Sequence, residues 1–481
     1  MTLLTKGTNQ EGSGHIWVRA QHAPKYARFL RLEVVFSGQS SMIKKPFILS
    51  LILVGAFALS ACAGFNLTGT QEAVKEASPE ATPTRRISTP TAVPVVPDDY
   101  NQITVTVWHS WDEPYLPALV QIIANFQAIY PHVLFDVLYI PRENLLERYM
   151  LEAQEGSGGP SILLGPADWG PPLYDEGLLF DLTELAEQDL LRTFNPAALR
   201  QMQYHDALIG LPYSIQGVVL YRNRDIIPES PDTFDDLVSL ARSFTQGEVI
   251  GADLERGFFF SGGHLNGIGG ELMDENGDPA FNDETGVAWV NMLIEFELAG
   301  PTEYLSNRDL DLFMEGRVGF IIDGTWNMDS ILEVLGSESI VIDPWPAYHD
   351  GFLAGYVQGD DLFMNGQVNE GERDAVWNFM SYFVSPDAQS ILADVGLIPA
   401  VTGLQLVGDP TDRQLTQAMT ALVGGAAYPA VPEMGVYTGP MDIALRSVFE
   451  NGVNPADALQ AAERAILAAL DAIRTAPTPV P

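Results

Sequence analysis

Hydrophobic and polar positions change period several times from residue 102 onward. Ile103 to Trp108 alternates β-branched residues and predicts a first strand, with His109-Ser110-Trp111-Asp112 as the loop at its end. Within Leu116 to Ile129, Ala118, Ile122, Phe126 and Ile129 recur at helical spacing and predict a helix buried on that face. Val133 to Tyr139 predicts a second strand. Arg142 to Glu155 predicts a second helix, stopped by Gly156-Ser157-Gly158-Gly159-Pro160, and Ser161 to Leu164 a short third strand. This β-α-β-α-β order implies a parallel sheet and an α/β lobe.

Tyr204 to Leu237 then reads as a passage between two such lobes. His205 and Asp206 mark a turn, and Ala207 to Leu211 is apolar and short enough for a strand. Pro212 lacks a backbone donor, so the strand is expected to break there and a second strand to run from Val218 to Tyr221. Thr233 with Asp236 predicts a capping box opening a helix, whose Leu237, Leu240, Ala241 and Phe244 share one face. Beyond it, Gly257 to Gly263 with His264 reads as a strand followed by a Gly-rich loop. Asp274 to Asp283 reads as a hairpin turn. It resembles a calcium loop only superficially, since its Gly is fourth and no Glu stands twelfth. Helices are expected at Thr285 to Leu298, Leu310 to Gly316, Glu372 to Phe383 and Asp457 to Ile473, and SPDAQ from Ser385 begins another. Val318 to Asp323 reads as a strand running into Gly324-Thr325-Trp326-Asn327. Gly355 to Gly359 reads as a second crossing, and Asp360-Asp361 as a strand-end turn.

The N-terminal segment has a different pattern. Met42 begins a basic stretch with Lys44 and Lys45, followed by the apolar Phe47 to Leu59 and by Leu59-Ser60-Ala61-Cys62. The apolar run is too short to span as an ordinary helix and has the length of a signal-peptide core. The last four residues resemble the bacterial lipoprotein box, which implies lipidation of Cys62 and a membrane anchor there. Residues 1–41 are then expected to be a non-native upstream extension, 42–61 the signal peptide, and 62–100 a Thr/Pro-rich tether of roughly 35 Å r.m.s..

Composition narrows the functions available. At 481 residues the chain exceeds one typical core. A net charge of −38 repels nucleic acid. After Lys45 the only lysine is Lys75, which leaves no P-loop, Schiff-base or general-base lysine in the globular part. The single cysteine excludes an internal disulfide and any multi-cysteine metal site. No GxSxG, HExxH or GxGxxG motif occurs, and no pair of carboxylates stands in a recognisable acid/base arrangement. No enzyme, no metal and no cofactor is therefore expected.

The passage ALIGLPYSIQGVVLYRNRDIIPESPDTFDDL and the run FMEGRVGFIIDGTWNM resemble the extracellular solute-binding proteins of ABC importers, in the maltodextrin and sugar-binding branch. That resemblance extends over roughly residues 102–470. It implies a type II periplasmic-binding-protein fold, two α/β lobes joined by a multi-strand hinge. Lobe 1 would comprise 102–212 and 358–406, and lobe 2 216–354 and 410–474. It further implies a monomeric, lipid-anchored extracytoplasmic receptor that closes on a carbohydrate or other small polar solute and delivers it to the transmembrane subunits of a permease. A polyamine as ligand, or a sensor or adhesin ectodomain, are the alternatives.

Open α/β sheets bind ligands beyond the carboxyl ends of their strands. The loops that qualify are 109–113, 165–169, 213–217, 261–266, 323–327, 356–360 and 434–440. Aromatic rings there suit the flat C–H faces of a sugar, and Asp, Asn and Gln suit its hydroxyls. By matching position the resemblance makes Trp326 a stacking residue and Asp168 an acceptor, with Asp112 in the first binding loop and Tyr437 near a C-terminal platform. Trp111, Trp169, Tyr213, Gln216, His264 and Tyr356 complete the expected ligand-binding set. Gly165 stands where that branch has a stacking Trp, and Gln216 where it has an acid.

Overall fold

In the computed structural model the described residues are 102–475, apart from 113, 155–158, 305 and 407–410, together with Leu4–Thr5 and Ile16–Trp17. Those two dipeptides pair antiparallel. Cys62, the signal-peptide stretch and the Thr/Pro-rich tether lie outside the described residues.

The first lobe opens with β1 (Ile103–His109), α1 (Tyr115–Ile129), β2 (Val133–Tyr139), α2 (Arg142–Gln154) and β3 (Ile162–Pro166), followed by α3 (Pro196–Met202). β1 runs parallel to both β2 and β3, as the β-α-β-α-β order predicts. In α1, Ala118, Ile122 and Phe126 face the core as their spacing requires. Ile129, the fourth residue of that stripe, is exposed in the last turn, beyond the edge of the core.

β4 (Leu211–Asn223) leads into the second lobe, through α4 (Phe234–Phe244), β5 (Ile250–Ala252), α5 (Phe258–Gly267), α6 (Glu284–Glu295), β6 (Val318–Gly324) and β7 (Ile340–Asp343). The Thr233–Asp236 capping box forms at the start of α4. β8 (Tyr356–Met364) returns to the first lobe, followed by α7 (Glu370–Phe383), α8 (Pro386–Ala393) and β9 (Ile398–Pro399). β10 (Ala426–Ala427), α9 (Thr438–Asn451) and α10 (Pro455–Thr475) end the chain's described part. One ten-stranded sheet runs β2-β1-β3-β8-β4-β6-β5, with β7 and β9 pairing β4 and β10 pairing β8.

β4 belongs to both lobes and changes partner between Gly217 and Val218. Up to Gly217 it pairs with β8, with Gln216 opposite Gln358. From Val218 it pairs with β6 and then β7. The strands meet closely there: a Cβ at Gly217 would lie 2.5 Å from the Tyr356 carbonyl oxygen. The packing registers the same change. Val107, Phe126, Leu163 and Phe363 form a core that reaches Val219, Tyr221 and Ile321. The intervening Val218, Leu220, Phe320 and Ile322 join a second core around Trp289 and Phe296. Successive residues of β4 and β6 thus feed opposite faces, as the two-residue period of a strand demands.

Two expectations about this passage are corrected. The strand does not break at Pro212. Ser214 pairs with Asp360 and Pro212 with Asp361, which leaves Tyr213 as the extra residue of a bulge. A proline costs no ladder bond where a bulge already interrupts the ladder. Likewise, Asp360 and Asp361 lie in the middle of β8 rather than in a turn. A third correction concerns Gly257 to Gly263. It is the N-cap and start of α5, not a strand. Gly262 and Gly263 let that helix lie against the Tyr356 ring and the Gly355 backbone, where a Cβ would come within 2.5 Å and 2.7 Å.

Asp361 is fully buried, and neither carboxyl oxygen has a hydrogen-bond partner among the described residues. Burial holds its pKa well above the usual carboxylate range, and the nearby Asp360 and Asp168 charges add to the rise. Below the unfolded value of about 4 the proton is bound in both states, so the group is neutral for stability. As pH rises past that value the unfolded chain releases the proton while the folded chain retains it, so stability falls. Asp361→Asn is expected to flatten that slope, raising the urea midpoint at pH 8 and leaving it near the native value at pH 4. Parallel native and variant curves would contradict the assignment.

Candidate functional site

Each lobe has one sheet strand with a glycine at its last or next-to-last position, followed by a short 3-10 turn that carries a tryptophan. In the first lobe, β3 carries Gly165 and turns through Ala167–Trp169. In the second, β6 ends on Gly324 and turns through Thr325–Asn327. In both, the indole folds back over the glycine. A Cβ on Gly165 would lie 2.3 Å from Trp169 Cε3, and one on Gly324 2.0 Å from Trp326 Cε2. Both indoles are half-buried. Gly165 is therefore not an unfilled platform: the space beside it is occupied by the ring of Trp169.

Neighbouring groups hold these indoles. The Arg142 guanidinium, at the start of α2, lies 5.9 Å from the Trp169 ring centre. Arg142 also stands close enough to Asp360 to offset the rise that burial imposes on that carboxyl, while Asp168 adds to it. On the opposite lobe, Asp323 accepts from the Gly324 amide at 2.6 Å and from Asn327 Nδ2 at 3.1 Å. Burial pushes Asp323 up to about 6, and these two hydrogen bonds oppose the rise. The Thr325 hydroxyl accepts from the Gly217 amide at 3.1 Å, which ties the turn carrying Trp326 to the point where β4 changes lobe.

Trp326 lies in an aromatic cluster that the sequence patterns do not single out. Phe259 and Phe260, in the first turn of α5, stand 5.8 Å and 6.3 Å from it. Phe259 in turn packs 5.6 Å from Tyr428. The only available signal was the run Phe258-Phe259-Phe260, which a strand assignment would have buried alternately.

Several expected wall residues occupy other places. Tyr213, His264, Tyr356 and Tyr437 are all buried to 2% exposure or less, inside the lobes rather than on a wall. Tyr213, the bulge residue, packs against Trp111 and Phe383. His264 accepts from the Ala354 amide at Nδ1, and burial lowers its pKa to about 4. Tyr356 fills the gap left by Gly262, and the Tyr437 hydroxyl donates to the Gly277 carbonyl. The loop ranges shift too: 261–266 is helical, and 213–217 and 356–360 are strand. Trp111, Trp169, Gln216 and Trp326 are half-buried, and Asp112 and Asp168 exposed. The first loop is anchored by His109, which accepts from the Trp111 amide at 3.0 Å and whose pKa burial lowers to about 4.

A Gly165→Ala substitution forces the Trp169 indole off its seat. The expected result is a loss of about 1–3 kcal/mol in stability from overpacking and a changed tryptophan emission spectrum. An unchanged spectrum would contradict the seating.

Among the described residues no group of three or more His, Cys, Asp or Glu side chains could hold a metal ion. The Asp274 loop is satisfied internally, since Asp274 Oδ1 accepts from the Asn276 and Asp278 amides. A cavity of about 1320 Å³ lies elsewhere. It is bounded by residues 200–206, 271–277 and 426–431, and none of the ten expected ligand-binding residues lines it. Among the described residues no helix is long and apolar enough to cross a membrane.

Two α/β lobes joined through shared crossing strands, each ending a strand in a tryptophan seated over glycine, define a two-lobed binding architecture. Residues 121–419, more than half of the chain, match the bacterial extracellular solute-binding protein family, and the chain belongs to it. The maltotriose-binding protein of Pyrococcus abyssi is 24% identical over 367 residues, covering 72% of this chain and 78% of its own. A maltooligosaccharide ABC transporter solute-binding lipoprotein of Streptococcus pneumoniae is 23% identical over 339 residues, covering 67% and 78%. The extracellular solute-binding protein of Staphylococcus aureus, solved with maltose, superposes with a TM-score of 0.69 at 21% identity, covering 78% of this chain and all of its own. This is the type II periplasmic-binding-protein fold, and the chain is a binding protein rather than an enzyme.

Proposed function

We propose that this chain is the lipid-anchored extracytoplasmic receptor of an ABC importer, and that its solute is a neutral sugar of the malto-oligosaccharide kind. The observation that carries the reading is the pair of indoles, Trp169 and Trp326, seated at strand ends of opposite lobes. A pyranose has two C–H faces, and an aromatic ring on each lobe suits one of them. Asp112, Asp168 and Gln216 then stand as partners for its hydroxyls, with Trp111 beside them. The names of the relatives support the same ligand class. Lobe 1 is assigned to 102–212 with 358–406, and lobe 2 to 216–354 with 410–474, the crossing strands acting as the hinge. Closure would be stabilised only by the solute's differential affinity for the closed form. Cys62 would carry the lipid, and the permease would read the closed state.

A thermal-shift and calorimetric screen of maltose, maltotriose, galactose-containing oligosaccharides and polyamines tests the ligand. A shift with at least one sugar is expected. A shift with an amine and with no sugar of any length would overturn the sugar reading. Cys62→Ala is expected to move the protein from the membrane fraction to the medium or periplasm.

A further inference from the structure

We propose that Thr325 is a positioning residue that makes the Trp326 wall turn with the hinge, so that lobe closure and seating of the solute are one motion. This rests on the sugar reading above, with Trp326 in the site and the crossing strands as the hinge.

β4 grips the Trp326 turn on both sides of its change of lobe. On the first-lobe side, the Gly217 amide donates to the Thr325 hydroxyl at 3.1 Å. On the second-lobe side, the Tyr221 hydroxyl donates to the Gly324 carbonyl at 3.1 Å. Both bonds are buried. Gly217 lies opposite Val357 of β8, whereas Tyr221 lies opposite Ile321 of β6 and Ile342 of β7. At about 3.3 Å per residue the two anchors stand roughly 13 Å apart along the strand. They nevertheless hold adjacent residues of one turn. A strand that bends between Gly217 and Tyr221 changes the angle between the two bonds. Both stay intact only if the turn moves with it.

The surroundings convert that bend into motion of the ring. At Gly217 the strand has no room to slip sideways, since a Cβ there would lie 2.5 Å from the Tyr356 carbonyl oxygen and 2.6 Å from Leu422 Cδ2. The turn itself is stiff, because Asp323 accepts both from the Gly324 amide and from Asn327 Nδ2. Trp326 lies between those two clipped residues, with its indole against Gly324. β6 ends at Gly324, opposite Val218. One residue further on, the Thr325 side chain takes the place that a ladder carbonyl would hold for Gly217. A buried amide left without its acceptor carries its full desolvation cost, so the strand does not release Thr325 freely.

Small-angle X-ray scattering on the full chain reads closure, and calorimetry reads affinity, each with maltotriose or the best sugar of the screen above. The native chain is expected to contract on saturation. Thr325→Val keeps the shape of the side chain and removes its hydroxyl. It is expected to bind about ten-fold more weakly and, once saturated, to show less than half of the native contraction. Thr325→Ser, which restores the hydroxyl, is expected to recover the full contraction. A residue that only props up the turn would lower affinity and leave contraction of the saturated chain intact. That outcome overturns the coupling, as does a Thr325→Ser variant that fails to contract. Should Thr325→Val not fold, Tyr221→Phe, which cuts the other anchor, carries the same expectation and the same overturning result. Native binding without contraction overturns the coupling alone. Binding of no sugar at all overturns the sugar reading and the coupling with it.

Discussion

Trp326→Ala is expected to lower sugar affinity by about 2–4 kcal/mol, roughly 30- to 1,000-fold, with little change in melting temperature. The indole is half-buried and seated over Gly324, so it presents a face while its edge is held. Phe259 and Phe260 support it, and Asp323 and Thr325 fix the turn that carries it. Few residues combine an apolar face with that degree of fixation, and a ring that is already ordered loses little entropy on binding. Calorimetry with maltotriose, beside a thermal melt, separates the effects. A variant that binds within three-fold of the native chain would remove Trp326 from the site.

Asp343→Ala is expected to cost about 3–5 kcal/mol in stability, because it strands a buried guanidinium. Arg222 in β4 reaches Asp343 in β7 through two bonds, Nε to Oδ2 at 2.7 Å and Nη2 to Oδ1 at 3.0 Å. Both residues are buried. Ser230 donates to the same carboxylate and Arg222 Nη1 to the Ile227 carbonyl, so removing the acid breaks a network rather than one pair. The measurement is urea unfolding, with sugar affinity of the remaining folded fraction as the control. A loss below about 1 kcal/mol would show that the pair is no more than a surface contact in energetic terms.

Much of the fold was legible because the first lobe is built from local periods. β2 has the bounds its pattern gives, and α1 differs from its predicted start by one residue. The failures occur where a distant segment decides. Pro212 looks like a strand breaker until Asp360 and Asp361, about 150 residues later, supply the bulge that accepts it. Phe258 to Gly263 has the composition of a strand, but packing against Tyr356 selects a helix that only glycines permit. Of the candidate site, the sequence placed Trp169 and Trp326 in loops after sheet strands, and both stand in 3-10 turns there. Sequence could not show that Tyr213, His264, Tyr356 and Tyr437 point inward, because which side of an element faces solvent is set by what packs on the other side.

The strand order β2-β1-β3-β8-β4-β6-β5 also dictates when the protein can be completed during synthesis. β3 ends at Pro166 and β4 begins at Leu211, yet the strand between them in the sheet, β8, starts at Tyr356. Until that strand emerges, β3 and the first half of β4 each carry an open edge able to pair with another chain. Long-range closure of this kind is slow and leaves partly built sheets exposed to aggregation. Both edges stay open until the last quarter of the chain is made. β8, the strand that closes the sheet, thus also sets when that exposure ends.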